Sequence, residues 1–296
     1  MMKEPPPARR IYRKLFISNI GFLFLAIPLF AFILFIAYMI FYLFSNGINV
    51  LSWEFLTKPP VQGMTAGGIL PCVIGTVYIT LLSLIFSIPI GVLAAIYLAE
   101  YAPDNIITRI IRSAIRSLAG IPSIVYGLFG VALLVRGIGI PPSVLASGVT
   151  LSLMNLPWII ATAEEATHAI PGSFREGALA VGATKWEAIR HNVLPFAFPG
   201  ILTGILLALA RTMGETAPIL FTGVSYYTSG LPQTILHKFM ALPYHLFVLA
   251  TQHDQIMKVR PLAFGTAVVL LILVLTFDAI AFIIRLRIAA TNKWQV

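Results

Sequence analysis

Charged side chains are scarce in this sequence: Asp, Glu, Lys and Arg supply 10% of its 296 residues, against about 25% in an ordinary soluble domain. A chain of this size cannot cover a water-facing surface with so few charges, so a soluble globule is excluded and lipid is the solvent for most of it. Cysteine is nearly absent, and the single thiol, Cys72, rules out a disulfide framework. A Gly-x4-Gly-Lys-Ser/Thr phosphate loop, an HExxH pair and a nucleophile elbow are all missing. The chain is therefore read as no enzyme by itself, with no cofactor of its own. His237, His245 and His253 recur without metal-ligand spacing, so no metal site is expected. No internal repeat is visible, which disfavours a secondary carrier built from two related halves.

Apolar runs are abundant. A spanning helix needs about 20 apolar residues, and six segments qualify: Phe16–Phe44, Ile69–Ala99, Leu118–Val135, Val144–Ala163, Leu194–Val224 with an interruption, and Leu262–Ile284. The reading is an all-α integral membrane protein with six transmembrane helices. Arg9, Arg10, Arg13 and Lys14 ahead of the first run imitate a signal peptide, but the run is too long for an h-region and lacks a clear small-residue cleavage site. With the N-terminus inside, the inner segments hold fourteen of the twenty Lys and Arg residues and the outer segments five. Both termini are thus expected in the cytoplasm. The expected division is a tail at 1–15, a first helix at 16–44, a body holding the other five spans at 69–285 and a tail at 286–296. Glu100, Asp104, Arg109, Arg112 and Arg116 are expected to form a solvated cytoplasmic face. Asp278 is expected to pair with Arg285 or a neighbour. The long outer segment from Ser225 to Pro261 is mixed rather than polar, and is expected to fold onto the outer surface.

The cytoplasmic loop between the fourth and fifth spans, at 173–190, spells two short helices. Ser173-Phe-Arg-Glu176 and Thr184-Lys-Trp-Glu187 each have capping-box spacing. Gly182 stands between them, where a helix end favours a residue that tolerates positive φ. Pro195 suits the first turn of the fifth span. Phe174, Ala178, Val181, Trp186 and Ile189 give the pair an apolar face. On capping alone, a loop packed on its own helices and a docking element explain that face equally well.

The fifth span is interrupted by Arg211-Thr-Met-Gly214-Glu215-Thr216-Ala217-Pro218. Each ion at membrane depth costs a few kcal/mol. Arg211 and Glu215 are four positions apart and share a helix face. Pro218 removes a hydrogen bond and clashes with the carbonyl of Gly214, so a helix break is expected at Gly214 to Pro218. A broken helix is tolerated only beside protein or a cavity. Two readings stay open here: a neutralising pair that staples helices, or a transient anion site on a path through Arg211, Glu215 and Thr216.

The loop wording, Glu176-Gly177-Ala178, three residues, Gly182, nine residues, then Asn192-Val-Leu194-Pro195, resembles the cytoplasmic signature of ABC-importer permeases. Gly177 departs from an Ala and Asn192 from an Ile. The Arg-x-x-Gly-Glu-Thr-Ala-Pro wording is similar to phosphate-importer permeases in particular, and the chain's length and overall look resemble their A type. The resemblance implies a type I importer fold, with Glu176, Gly177, Ala178, Gly182, Leu194 and Pro195 coupling to ATPase subunits. It further implies a homologous C-type permease partner, two ATP-binding subunits that hold ATP and Mg, and an extracytoplasmic phosphate-binding protein. The alternatives are a permease for sulfate or molybdate, a stand-alone secondary carrier, and a membrane-anchored sensor of phosphate signalling.

Overall fold

The computed structural model describes residues 8–228 and 230–291, without the side chains of 8–21, 23 and 289–291. Lys3, Lys293 and the ends of both expected tails lie outside the described residues. Twelve helices run in chain order among those residues. The first, α1 (Ala8–Gly47), absorbs the second half of the tail expected at 1–15, and α2 (Trp53–Thr57) follows. A two-residue hairpin, Pro60–Val61 against Ala66–Gly67, leads into α3 (Leu70–Ile96). That helix widens into a π turn at Tyr97–Tyr101. Then come α4 (Ile106–Ala119), α5 (Ser123–Gly130) with its π extension Val131–Ile138, and α6 (Val144–His168). The loop holds α7 (Ser173–Ala180) and α8 (Lys185–Ala188). The chain closes with α9 (Leu194–Gly214), α10 (Ala217–Thr222), α11 (Leu242–Thr251) and α12 (Ile256–Thr291).

Five of these stretches are long and apolar enough to cross a bilayer, and a sixth is a pair, α4 and α5 with its extension, bent by 101°. The bend corrects the third expected span. Leu118 belongs to α4, which ends at the Gly120–Pro122 turn, and the apolar helix that holds the rest of that segment starts at Ser123. Proline cannot continue the preceding helix, and Asn105 caps the start of α4 by accepting from the Thr108 amide at 2.9 Å. Ile106, Ile107, Ile110 and Ile111 all remain exposed on α4.

Burial decides which helices form the centre. In the apolar stretch of α6, 67% of residues are buried, against 6% for α12 and none for α1. The central helix α6 packs along α3 and α9. The first span touches the body through α12, where Tyr42 meets the Phe264 ring edge-on at 5.7 Å. The segment between the fifth and sixth spans folds back onto the helices: Phe239, Met240, Ala241 and Leu242 are buried, and the Leu242 amide donates to Thr76 Oγ1 at 2.8 Å. Its carbonyls also cap the core helix, with Val144 N–H donating to His237 O and Leu145 N–H to Ile235 O. This satisfies amides that a helix start leaves without intrahelical partners.

Candidate functional site: the broken fifth span and the loop helices

The fifth span breaks where the sequence predicts. Helix α9 ends at Gly214, Glu215 turns extended with ψ 130°, and α10 restarts with Pro218 in its first turn. Helix α5 lies against this break. A Cβ added to Gly127 would fall 2.9 Å from the Pro218 Cα, so only glycine permits that approach.

Arg211 and Glu215 meet. The Arg211 Nε donates to Glu215 Oε1 at 3.2 Å, and the guanidinium lies 5.5 Å from the centroid of the Trp158 ring on α6. The Arg211 side chain keeps 32% of its surface open and Glu215 15%. This single hydrogen bond leaves most of the planar donor fork unused, and a guanidinium with spare donors is suited to an oxyanion. Thr216 sits at the N-cap of α10 without a side-chain cap bond, its carbonyl accepting from Leu220 N–H.

Beside Arg211 lies a polar contact that sequence reasoning missed. Asn155, fully buried on α6, donates through Nδ2 to Ser83 Oγ on α3 at 3.1 Å and to Thr212 Oγ1 on α9 at 2.7 Å. The signal in the sequence is one Asn within an apolar helix.

The loop helices form, with one correction. The Thr184 box is complete: the Glu187 amide donates to Thr184 Oγ1 and the Thr184 amide to Glu187 Oε2. Gly182 takes φ +86°. The expected box at Ser173 does not form. The chain enters α7 one residue earlier, with Arg175 and Glu176 amides donating to Gly172 O, so Ser173 is already helical and its hydroxyl cannot cap. The apolar face divides. Ala178 and Ile189 are buried and Phe174 packs edge-on against Phe196 at 5.0 Å, whereas Val181 is 85% exposed and Trp186 also open. A Cβ added to Gly177 would meet nothing within 4 Å. Leu194 and Pro195 open α9, Pro195 in its first turn.

The solvated cytoplasmic face needs a second correction. Asp104 and Arg109 do pair in the open, and that hydrogen bond holds the Asp104 carboxyl below the usual carboxylate range. Glu100 and Arg112 do not face solvent: each is drawn into ion pairs with other elements, Glu100 with Arg175 and Arg112 with Glu164. Asp278 shows no pairing with Arg285. Its Oδ1 is buried without a hydrogen-bond partner beside a groove lined by Thr203, Leu207, Ala210 and Phe282. Among the described residues no three His, Cys, Asp or Glu side chains converge on one point.

Comparison with known proteins adds the following. Residues 87–290 match the family model described as binding-protein-dependent transport system inner membrane component. A Bacillus subtilis (strain 168) protein named probable ABC transporter permease protein YqgI is 32% identical over 251 residues, covering 81% of this chain and 85% of that one. The phosphate transport system permease protein PstA of Xylella fastidiosa (strain Temecula1) is 34% identical over 259 residues, covering 84% and 86%. Among solved structures, a bacterial alginate ABC transporter in complex with a pentasaccharide-bound periplasmic protein superposes with TM-score 0.66 at 14% identity, covering 92% of this chain and 96% of that one. An inward-facing MetNI methionine ABC transporter gives 0.58 at 21%, covering 74% and 95%. Both likenesses concern the fold.

Proposed function

Because the chain belongs to the family of binding-protein-dependent transport system inner membrane components, we propose that it is the membrane-spanning permease subunit of an ATP-driven inorganic phosphate importer. The family works with ATPase and substrate-binding subunits. For this chain the proposed set is a homologous C-type permease, two ATP-binding subunits that hold ATP and Mg, and an extracytoplasmic phosphate-binding protein.

The carrying observation is Arg211: a guanidinium with unused donors, part open, at a helix break in an apolar span. Hydrogen phosphate offers three oxygens to such a fork. Glu215 holds one side of the guanidinium, which weakens its grip on an arriving anion so that the anion can leave. The PstA names of the relatives support the same cargo. On the inner side, the segment 173–190 is the proposed docking element. Glu176, Gly177, Ala178 and Gly182 shape it, Val181 and Trp186 offer apolar surface to an ATPase groove, and Leu194 and Pro195 join it to α9.

Reconstitution tests this reading. The complete complex in proteoliposomes is expected to take up radiolabelled phosphate only with ATP and the binding protein. Uptake of sulfate or molybdate in preference to phosphate overturns the cargo, and nucleotide-free uptake by this chain alone overturns the class.

A further inference from the structure

Two arginines on the cytoplasmic side clasp the end of α3 from opposite directions. From the loop helix α7, Arg175 reaches Glu100: its Nη2 donates to Glu100 Oε1 at 2.6 Å and its Nε to the same oxygen at 2.9 Å. The rest of its fork caps α6, with Nη2 donating to Thr167 O at 2.9 Å and Nη1 to Ile170 O at 2.7 Å. From α4, Arg112 donates through Nη2 to Leu98 O at 2.7 Å and through Nε to Glu164 Oε1 on α6 at 2.6 Å. Leu98 and Glu100 belong to one π turn. Glu100 retains only 5% of its side-chain surface.

Surface ion pairs contribute little, but a bidentate pair shielded from water that also binds carbonyls fixes geometry. The loop otherwise joins α6 through the short 169–172 link and rests on α9 through Phe174 against Phe196, neither of which fixes α7 to the inner end of α3. We infer that Arg175 and Glu100 are positioning residues that make the loop helix one rigid body with the inner ends of α3 and α6, so that displacement of the loop reaches the membrane helices. Arg112 and Glu164 extend that body to α4. The inference rests on the proposed role of the loop, and its test is built so that the two can fail separately.

The test uses the complete complex with Glu100→Gln, Arg175→Gln and the double substitution, which remove charge without stranding a buried ion in the double variant. The exposed pair Asp104–Arg109, broken by Arg109→Gln, is the control. Expected is normal recovery of the ATP-binding subunits, basal ATP hydrolysis within about twofold, and at least about fivefold fewer phosphate ions moved per ATP, with the double variant no worse than either single one. Arg109→Gln is expected to leave that ratio unchanged. Loss of the ATP-binding subunits, hydrolysis and uptake falling in step, an unaltered ratio, or single losses that add would each overturn the inference. A cargo-independent arm places spin labels at Ser173, exposed at the start of α7, and at Ile110 on α4. Their distance distribution is expected to stay narrow and unshifted between nucleotide-free and vanadate-trapped complex, and to broaden in the double variant. A shift in the unmodified complex, or no broadening in the variant, overturns the clasp even if the cargo is not phosphate. An unmodified complex that moves no phosphate overturns only the proposed function.

Discussion

The guanidinium of Arg211 lies 5.5 Å from the centroid of the Trp158 ring, across the α6–α9 contact, while its Nε binds Glu215 one turn ahead. An aromatic face attracts the cation without occupying its hydrogen-bond donors. Replacement by Gln keeps a polar end and removes the charge. Arg211→Gln is expected to lower phosphate uptake at least about tenfold, or ~1.4 kcal/mol in the limiting step, with the complex intact. Initial uptake rates in proteoliposomes, alongside subunit recovery, measure this.

Gly182 and Gly177 should respond in opposite directions. Gly182 has φ +86°, and a Cβ there meets nothing within 4 Å, so the penalty is in the backbone alone. Gly182→Val is expected to cost about 1–2 kcal/mol of loop structure, seen as weaker retention of the ATP-binding subunits on affinity purification. Gly177 is helical with open space around it, so Gly177→Ala should firm α7 by about 0.5–1 kcal/mol and leave retention unchanged or improved.

Asn155→Leu removes the donor that joins α3 and α9 to α6. Ser83 and Thr212 then lose their cross-helix partner in a dry interior. A loss of about 1–3 kcal/mol is expected, read as a lower midpoint of thermal unfolding in detergent. Ser83→Ala, which keeps the Thr212 bond, should cost less.

His245 sets a pH dependence outside the spans. Burial, and after it the neighbouring His253, pushes its ring down to about 4 from the usual 6.5. The unfolded chain binds a proton near the ordinary value while the folded chain stays neutral, so this contribution is complete above about pH 6.5 and is lost as pH falls towards about 4. Thermal unfolding at about pH 5 and about pH 7.5 checks it. The drop between the two is expected to shrink in His245→Gln.

Local patterns carried much of the fold into view. Long apolar runs gave the spans, Pro218 the break, and Gly182 with Thr184 the loop turn. Where the prediction failed, a neighbour overrode the pattern. Ser173 and Glu176 have capping spacing, yet Pro171 and Gly172 start the helix ahead of them. Leu118 reads as the start of the third span, yet Gly120 and Pro122 turn the chain by 101° just after it. The Asn155 bonds and the Arg175 clasp join residues 57 to 75 positions apart, and no local spacing encodes such partners.

The Asn155 junction also limits how this bundle can rearrange. Sliding α6 by a single turn, about 5.4 Å, past both neighbours would leave the Asn155 NH2 and the Ser83 hydroxyl without partners in hydrocarbon, while Thr212 would keep only its bond to Ala208 O. Shear among α3, α6 and α9 is therefore opposed, and a large excursion of the molecule is expected to tilt those three together and take up the movement at surfaces outside the trio.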